Sequence, residues 1–487
     1  MKDWMRGRTP LLAAGAAVLL VIVGAVFLIP HGEKPAAPEG DKKNVAAEWP
    51  PDPFPSTYKA LPAAPTLIRN ATILTGTGEE IVGGSVLIEN GKISEVATNI
   101  GVPAGATVID GKGKFVTPGI IDIHSHLGVY PSPGVQSTSD GNEAIKPATP
   151  EVRSENSVWP QDAGFTRALA GGVTAMQILP GSANLIGGRS VVLKNVWART
   201  VQEMKFPGAP YDLKMACGEN PKRVYGEKGG PQTRMGNMAG YRAAFAKAAE
   251  YERKWKKYWG DNKAGKKDAD EPDRDFGLET LAQVLEKQIW VQMHCYRGDE
   301  MAFMIDIAKE FGFKIAAFHH AVEAYKVADL LRENDICAVM WADWWGFKLE
   351  AYDGIQENIP LVDAAGACAM IHSDSDIFVQ RLNQEVGLAM AAGRRIGLDI
   401  PRGRAIRWMT ANPAKALNIL DKVGTLEKGK MADVVLWSGD PFSVYSHAEK
   451  VFVDGWLAYD RNDSKRSPRA DFELGQVGEG STGGAGQ

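Results

Sequence analysis

Cysteine is scarce in this chain, which has only Cys217, Cys295, Cys337 and Cys368 among its 487 residues. Their spacing matches neither a small disulfide framework nor a zinc finger. Three of the four fall in or beside apolar runs typical of strands, where a cysteine is most often a small buried hydrophobe. The sequence therefore predicts no disulfide framework and no catalytic cysteine.

The chain also lacks an excess of charge of either sign. Its 55 Lys and Arg residues against 59 Asp and Glu residues give a net charge of −4. Without a basic stripe there is no electrostatic reason to expect nucleic acid as a partner. The apolar fraction of 44% is that of an ordinary globular protein, and 487 residues are enough for a barrel and a second domain. The oligomeric state is left open.

One long apolar run without charge covers residues 11–29, after the basic residues Lys2, Arg6 and Arg8. Its length is close to that needed to cross a bilayer and exceeds that of a cleaved signal core. Residues 1–30 are therefore predicted to be a signal anchor that holds the protein on the outer face of the cytoplasmic membrane, which is periplasmic in Gram-negative bacteria. A cleaved signal is the alternative. Residues 31–64 would form a linker.

Histidine is nearly as rare, with eight residues, yet His124 and His126 stand one residue apart after the apolar run 120–123. Because side chains alternate along a strand, the two imidazoles project to the same side. Burying them costs free energy unless a ligand or hydrogen bonds satisfy them. The pair indicates a metal site, with two hydrogen-bonded core histidines as the alternative.

Three further polar groups end apolar, strand-like runs: His294, the pair His319-His320, and Asp374. A strand, its crossover helix and the next parallel strand take about 30 residues. The 26 positions from His294 to His320 match one such step, and the 54 from His320 to Asp374 match two. Functional groups at the carboxyl ends of several strands are typical of a (β/α)8 barrel, which we expect over residues 117–417. Imidazoles with a carboxylate suit zinc, while manganese, iron and cobalt are not excluded.

Short apolar runs with turn residues flank the predicted barrel, at residues 65–116 before it and 418–460 after it. Asn90-Gly91 and Asp454-Gly455 are typical hairpin turns. Neither flank can bury a core alone, so we expect them to form one small discontinuous β-sandwich. Residues 461–487, which end in the glycine-rich segment 478–487, are predicted to be a flexible tail.

The motifs in this order resemble the amidohydrolase superfamily, and most of all its imidazolonepropionase-related branch of secreted enzymes. The residues that carry the resemblance are segment 118–126, His294, His320, Ser373-Asp374, segment 409–417 and segment 424–437. The resemblance covers about residues 62–460. It implies that His124 and His126 bind a metal together with Asp374, and that His294 and His320 serve this metal or a second one.

His319 and His320 are adjacent, so strand alternation allows only one of them to point into the barrel mouth. The family register favours His320 as the ligand, since a small residue, Ala321, follows it. His372, two residues before Asp374, is a candidate to contact and orient the metal ligands. The alternative is a core histidine whose hydrogen bonds are made within the protein.

A second metal would need a bridging carboxylate, because two neighbouring cations repel each other. Many relatives use a carboxylated lysine on the fourth barrel strand. Here Glu219 follows the predicted strand 212–218 and Lys214 lies nearer its start, so Glu219 is the preferred candidate. An ordinary surface or helix-capping acid is the alternative. Whether one or two ions bind is left open.

Metal coordination lowers the pKa of water and makes hydroxide available as a nucleophile. Asp374 would accept the proton of that water and deliver it to the leaving nitrogen. The favoured function is a metal-dependent hydrolase of amide or cyclic amide bonds, with dipeptide-like small molecules among its substrates. A deaminase on the same scaffold and a non-catalytic metal-binding module are the alternatives.

Residues that could bind the substrate are few. Those predicted to lie in or near loops at the barrel mouth are Asn184, Arg189, Tyr225, Arg234 and Arg297, of which the last three are the chosen candidates. An arginine there can hold a substrate carboxylate in a bidentate pair. The tryptophans 341, 344 and 345 could line an apolar wall, with core packing as the alternative.

Overall fold

The computed structural model describes residues 49–344 and 346–463. The predicted anchor at residues 1–30, the first part of the linker, Trp345 and the tail from residue 464 lie outside the described residues. None of the helices in the two described ranges combines the length and the apolar character that a membrane crossing requires.

Two eight-stranded sheets account for the strands of the described residues. In chain order the strands are β1 (Thr66–Leu74), β2 (Glu80–Glu89), β3 (Lys92–Ala97), β4 (Thr107–Asp110), β5 (Phe115–Pro118), β6 (Ile120–Ser125), β7 (Val173–Ile178), β8 (Ile186–Lys194), β9 (Asp212–Ala216), β10 (Trp290–His294), β11 (Ile315–His319), β12 (Cys337–Met340), β13 (Cys368–Ile371), β14 (Val434–Trp437), β15 (Ala448–Val453) and β16 (Trp456–Asp460).

Helices connect the barrel strands and pack around them. In chain order they are α1 (Ala163–Ala170), α2 (Val201–Met204), α3 (Glu219–Tyr225), α4 (Arg234–Lys263), α5 (Phe276–Leu285), α6 (Gly298–Phe311), α7 (Ala328–Glu333), α8 (Asn358–Ala364), α9 (Leu382–Arg395), α10 (Arg402–Ala405) and α11 (Ala411–Ala416). Apolar side chains of α1, α4, α6 and α9 share one core with those of β7 to β13.

The barrel sheet consists of β6 to β13 in their order along the chain. It nearly closes, since the backbone N–H of Asp374, just after β13, donates to the carbonyl of His124 in β6 at 3.1 Å. The predicted barrel is confirmed in outline, but the expectation of a regular (β/α)8 order is wrong. Strand β8 runs antiparallel to both of its neighbours. Residues 179–185 between β7 and β8 are too few for a crossover helix, so the chain turns back on itself.

The carboxyl ends of the parallel strands carry the side chains that the spacing had placed there. His294 and His319 end β10 and β11, and Asp374 follows β13 by three residues. Strand β12 lies between β11 and β13 in the sheet, which explains why the interval from His320 to Asp374 is twice as long as the preceding one. The edge of the barrel at which these ends meet is therefore the place of the candidate site.

The two flanks of the barrel combine in the second sheet, in the order β16-β15-β14-β5-β1-β2-β3 with β4 beside β1. Ile73, Val116 and Leu436 belong to its shared apolar core, so strands from both flanks bury one another. The strands of both flanks thus form one sheet, which we call the β domain. Its strands are hydrogen-bonded into a single sheet, not into two separate facing sheets.

The cysteines are paired, which overturns the prediction from their spacing. Cys217 and Cys295, just beyond β9 and β10, form one disulfide, and Cys337 and Cys368 form the other between register partners on β12 and β13. Neighbouring parallel strands are separated by a crossover, so the paired residues lie 78 and 31 positions apart and no short cysteine motif marks them. Closing loops of this length stabilises a fold by about 2–4 kcal/mol per disulfide.

Residues 49–64 were predicted to belong to a linker, but part of this segment packs on the barrel domain. Trp49 stacks on Tyr251 of α4, with ring centroids 5.9 Å apart, and its indole N–H donates to Glu286 at 2.8 Å. The Asp52 carboxylate lies 2.7 Å from the Lys205 Nζ and 3.0 Å from the Arg153 guanidinium. The described end of the segment is therefore held by aromatic packing and ion pairs.

Candidate metal centre

Six of the eight histidines meet at the carboxyl edge of the barrel, and two of them come from the His-x-His motif. His124 is completely buried in β6, and His126 follows this strand. The His126 Nδ1 lies 2.9 Å from the Leu179 carbonyl, to which it donates, so its Nε2 carries a free lone pair. The two Nε2 atoms are 3.3 Å apart. They converge on one point, as strand alternation predicted.

Asp374 completes this group of side chains. One carboxylate oxygen lies 3.3 Å from the His126 Nε2 and 3.6 Å from the His124 Nε2. Candidate ligand atoms of these three residues all lie within 4.8 Å of one another, a separation that a single metal ion can span. Asp374 has a left-handed backbone with φ of 48°, which turns its side chain from the last strand toward the first. Two imidazoles and a carboxylate form a donor set that zinc accepts.

The adjacent histidines at the end of β11 both point into the barrel, contrary to the expectation that only one could. His319 lies on the strand, with its Nδ1 2.8 Å from the His124 Nδ1 and its Nε2 2.8 Å from the Gln292 side-chain oxygen. His320 follows the strand end with φ of 57°, so the alternation of side chains no longer holds there. His320 joins a second potential metal group, which does not include His319.

That second group consists of His124, His320 and His372. The His372 Nε2 lies 2.8 Å from the His320 Nδ1, while its Nδ1 donates to the Met340 carbonyl at 3.1 Å. Trp341 stacks on both rings, with centroids 4.6 Å from His320 and 4.7 Å from His372. In the sequence, the Ser-Asp motif indicated Asp374. The only signal for His372 was its position two residues before Asp374.

His294 lies beside these residues, with its ring centroid 4.9 Å from that of His320. Its Nε2 is 3.4 Å from the Asn220 amide nitrogen, and its buried Nδ1 has no hydrogen-bond partner among the described residues. Burying an imidazole nitrogen without a hydrogen-bond partner costs free energy. This nitrogen therefore fits a position at which a ligand binds.

Lys214, not Glu219, reaches the candidate metal centre. The Lys214 Nζ lies 3.5 Å from the His124 Nε2, and the side chain is almost completely buried. Glu219 is the first residue of α3, which turns its carboxylate away to a distance of 3.4 Å from the Lys348 Nζ. Glu219 belongs to neither of the two potential metal groups.

Burial has the largest effect on the pKa values of these side chains. It lowers the pKa of every imidazole in the centre, and that of His126 to about 3, with the nearby Lys214 acting in the same direction. The imidazoles are therefore neutral, which is the form that binds metals. Burial raises the pKa of Asp374 to about 7, against the opposing effect of Lys214, and burial lowers the pKa of Lys214 to about 7.

Tyr225, Arg234 and Arg297, the predicted substrate-binding residues, belong to neither of the two potential metal groups. Tyr225 is completely buried, and its hydroxyl has no hydrogen-bond partner in the described part of the chain. Arg234 is held by two carboxylates, those of Glu300 and Glu350. Arg297 binds Asp299 through two hydrogen bonds. Both arginines line a cavity of about 600 Å³. Their guanidinium groups are already paired with carboxylates of the protein.

Substituting the two adjacent histidines separately tests the assignment of ligands. The His320→Ala variant should lose bound metal and activity, because a member of a potential ligand group is removed. The metal affinity of the His319→Ala variant should fall by a smaller factor, about 10- to 100-fold, because His319 only contacts the proposed ligand His124. Metal titrations of both variants measure this difference. Equal and negligible losses would show that neither histidine serves the metal.

Comparison with known proteins places this geometry in a family. The amidohydrolase family matches residues 115–459. The amidohydrolase tasK of Hapsidospora irregularis is 35% identical over 448 residues, which are 85% of this chain and 45% of tasK. A 5-methylthioadenosine/S-adenosylhomocysteine deaminase of Thermococcus onnurineus is 35% identical over 101 residues, 21% of this chain and 22% of that protein.

This chain thus spans less than half the length of these two curated relatives. A solved amidohydrolase from Thermotoga maritima MSB8 is similar in structure, with a TM-score of 0.74 and 37% identity over 81% of this chain and 100% of that one. The family match includes all six histidines of the centre and Asp374. The chain belongs to the amidohydrolase family.

Proposed function

We propose that this protein is a metal-dependent hydrolase of carbon–nitrogen bonds in amides, with dipeptide-like and cyclic amides as candidate substrates. The observation that carries the proposal is the convergence of His124, His126 and Asp374 within 4.8 Å at the mouth of the barrel. Zinc is the proposed metal, because neutral imidazoles with a carboxylate are its usual ligands outside thiolate sites. When bound, the metal would polarise the substrate carbonyl and lower the pKa of water.

Asp374 is the residue proposed to move the proton. Its side chain is 26% exposed, so it lies where the buried ligands meet solvent. A carboxylate there can accept the proton of the attacking water and donate it to the leaving nitrogen as the carbon–nitrogen bond breaks. Asp122 supports this position, since its carboxylate accepts hydrogen bonds from the Ser373 N–H at 3.1 Å and the Ser373 hydroxyl at 2.5 Å.

Lys214 is the residue proposed to supply an anionic bridge if two ions bind. Its amine would combine with carbon dioxide, forming a nitrogen–carbon bond and releasing a proton, to give a carbamate. Carboxylated lysines on the fourth barrel strand occur in many relatives, and Lys214 lies on β9, the fourth strand of the barrel sheet. The contact of 3.5 Å with the His124 Nε2 supports this role.

Hydrolysis of a substrate panel tests the proposed function. The metal-loaded protein should release products from at least one class among dipeptides and cyclic amides, as followed by chromatography of free amines. Release of ammonia from aminated heterocycles alone would instead establish the deaminase alternative, which the partial similarity to the Thermococcus onnurineus deaminase supports. No turnover of any class would favour a non-catalytic metal-binding module.

We also propose that the protein acts outside the cytoplasm, held by residues 1–30 as a signal anchor. The two disulfides support an oxidising compartment, because cytosolic proteins keep their cysteines reduced. A cleaved signal would give the same compartment. The assignment to the imidazolonepropionase-related branch stays a prediction.

A further inference from the structure

The connection between β12 and α8 covers one side of the metal centre with aromatic rings. Trp341 stacks on the ring of His320, at an angle of 26°. Phe347 lies 5.7 Å from Trp341 and 6.1 Å from Tyr296, measured between ring centroids, and its side chain is largely exposed. Trp344 continues the surface at 5.4 Å from Trp341. These rings form an apolar wall beside the proposed ligands.

One cation, Lys348, follows Phe347 in this wall. Its Nζ donates to the Asn220 side-chain oxygen at 3.0 Å and lies 4.2 Å from the centroid of the Tyr296 ring. The amide nitrogen of the same Asn220 is 3.4 Å from the His294 Nε2. Only one amide group therefore separates the ammonium of Lys348 from an imidazole of the metal centre.

The charge of Lys348 is only partly satisfied. Among the described residues its ammonium, which has three N–H donors, has two hydrogen-bonding or ion-pair partners, the Asn220 side-chain oxygen at 3.0 Å and the Glu219 carboxylate at 3.4 Å. Glu219, at 3.4 Å, forms an ion pair with it but is 32% exposed, so water weakens this attraction. By contrast, Lys326 at the same mouth is paired with both Glu323 and Asp353 at 3.0 Å.

We propose that Lys348 binds a carboxylate of the substrate, and that the aromatic wall receives an apolar group beside it. The short path from Lys348 to His294 places this carboxylate next to the scissile bond, as in a dipeptide with a free C-terminus. The substrate class is therefore dipeptides with an apolar residue and an unblocked carboxylate. This inference rests on the proposed function and narrows it to one type of amide.

Paired substrates that differ only at the C-terminus test the role of Lys348. The metal-loaded protein should hydrolyse leucyl-leucine with kcat/KM about 10- to 100-fold above that for leucyl-leucinamide, as expected for one charge-assisted hydrogen bond. The Lys348→Met variant should lose this preference while its metal content stays unchanged, and the Lys348→Arg variant should retain most of it. The matched control is Lys326→Met, which should keep the preference of the parent.

Binding supplies a readout that does not depend on turnover. In calorimetric titrations, leucine, the product of leucyl-leucine hydrolysis, should bind the parent more tightly than leucinamide does, and the two should bind Lys348→Met equally. If amides are hydrolysed but the free and blocked C-termini give equal rates, or if Lys348→Met keeps the preference, the inference about Lys348 is wrong. Hydrolysis of cyclic amides alone would also overturn it, whereas no hydrolysis of any amide would overturn the proposed function itself.

Discussion

The Asp374→Asn variant is expected to fold and largely retain its metal, while its turnover falls by about 10²- to 10⁴-fold. Asparagine keeps the shape of the side chain and still offers one oxygen, but it cannot accept a proton at neutral pH. Because the carboxylate lies 3.3 Å from the His126 Nε2, it is the described acid best placed to act on water at the ligands. Steady-state rates and metal content, measured on the same preparation, test this expectation.

Asp376 offers a matched control for this substitution. It lies two residues farther along the chain, its side chain is 40% exposed, and it contacts Arg167 and Ser132 rather than the histidines. The Asp376→Asn variant should keep most of the parent activity. If Asp374→Asn also hydrolyses substrate at nearly the parent rate with its metal intact, then Asp374 is not the proton acceptor and the proposed chemistry fails.

Removal of the metal is expected to abolish activity. Burial lowers the pKa of the six imidazoles and keeps them neutral, so those in the two potential metal groups can offer nitrogen lone pairs to a cation. Dialysis against a chelator should reduce turnover to background, and addition of zinc should restore it. Elemental analysis should find one or two ions per chain in the active protein, and two ions would support the bridging role of Lys214.

His447 provides a control for nonspecific binding by histidine. It lies in the β domain, where its Nδ1 is 3.4 Å from the Ser438 hydroxyl, and it belongs to neither potential metal group. The His447→Ala variant should keep the metal content of the parent, whereas His126→Ala should lower it. Active, unchelated protein without bound metal would contradict the entire assignment of the centre.

The sequence alone was sufficient for the positions of the main ligand candidates. Strand alternation brought His124 and His126 to one side, and the spacing of His294, His320 and Asp374 matched successive strand and crossover units. Both are local regularities, since the repeat of a strand and the length of a crossover do not depend on distant residues. The two flanking segments could also be paired from sequence, because neither could bury its apolar residues alone.

The tertiary structure decided the features that depend on contacts between distant segments. Lys214 and Glu219 lie five positions apart, yet Lys214 on β9 reaches His124, whereas Glu219 at the start of α3 pairs with Lys348. The disulfides pair cysteines on neighbouring strands, whose separation in the chain depends on the crossovers and not on any cysteine motif. His320 enters the centre because its left-handed backbone ends strand alternation, a conformation set by the packing around it and not by its own type.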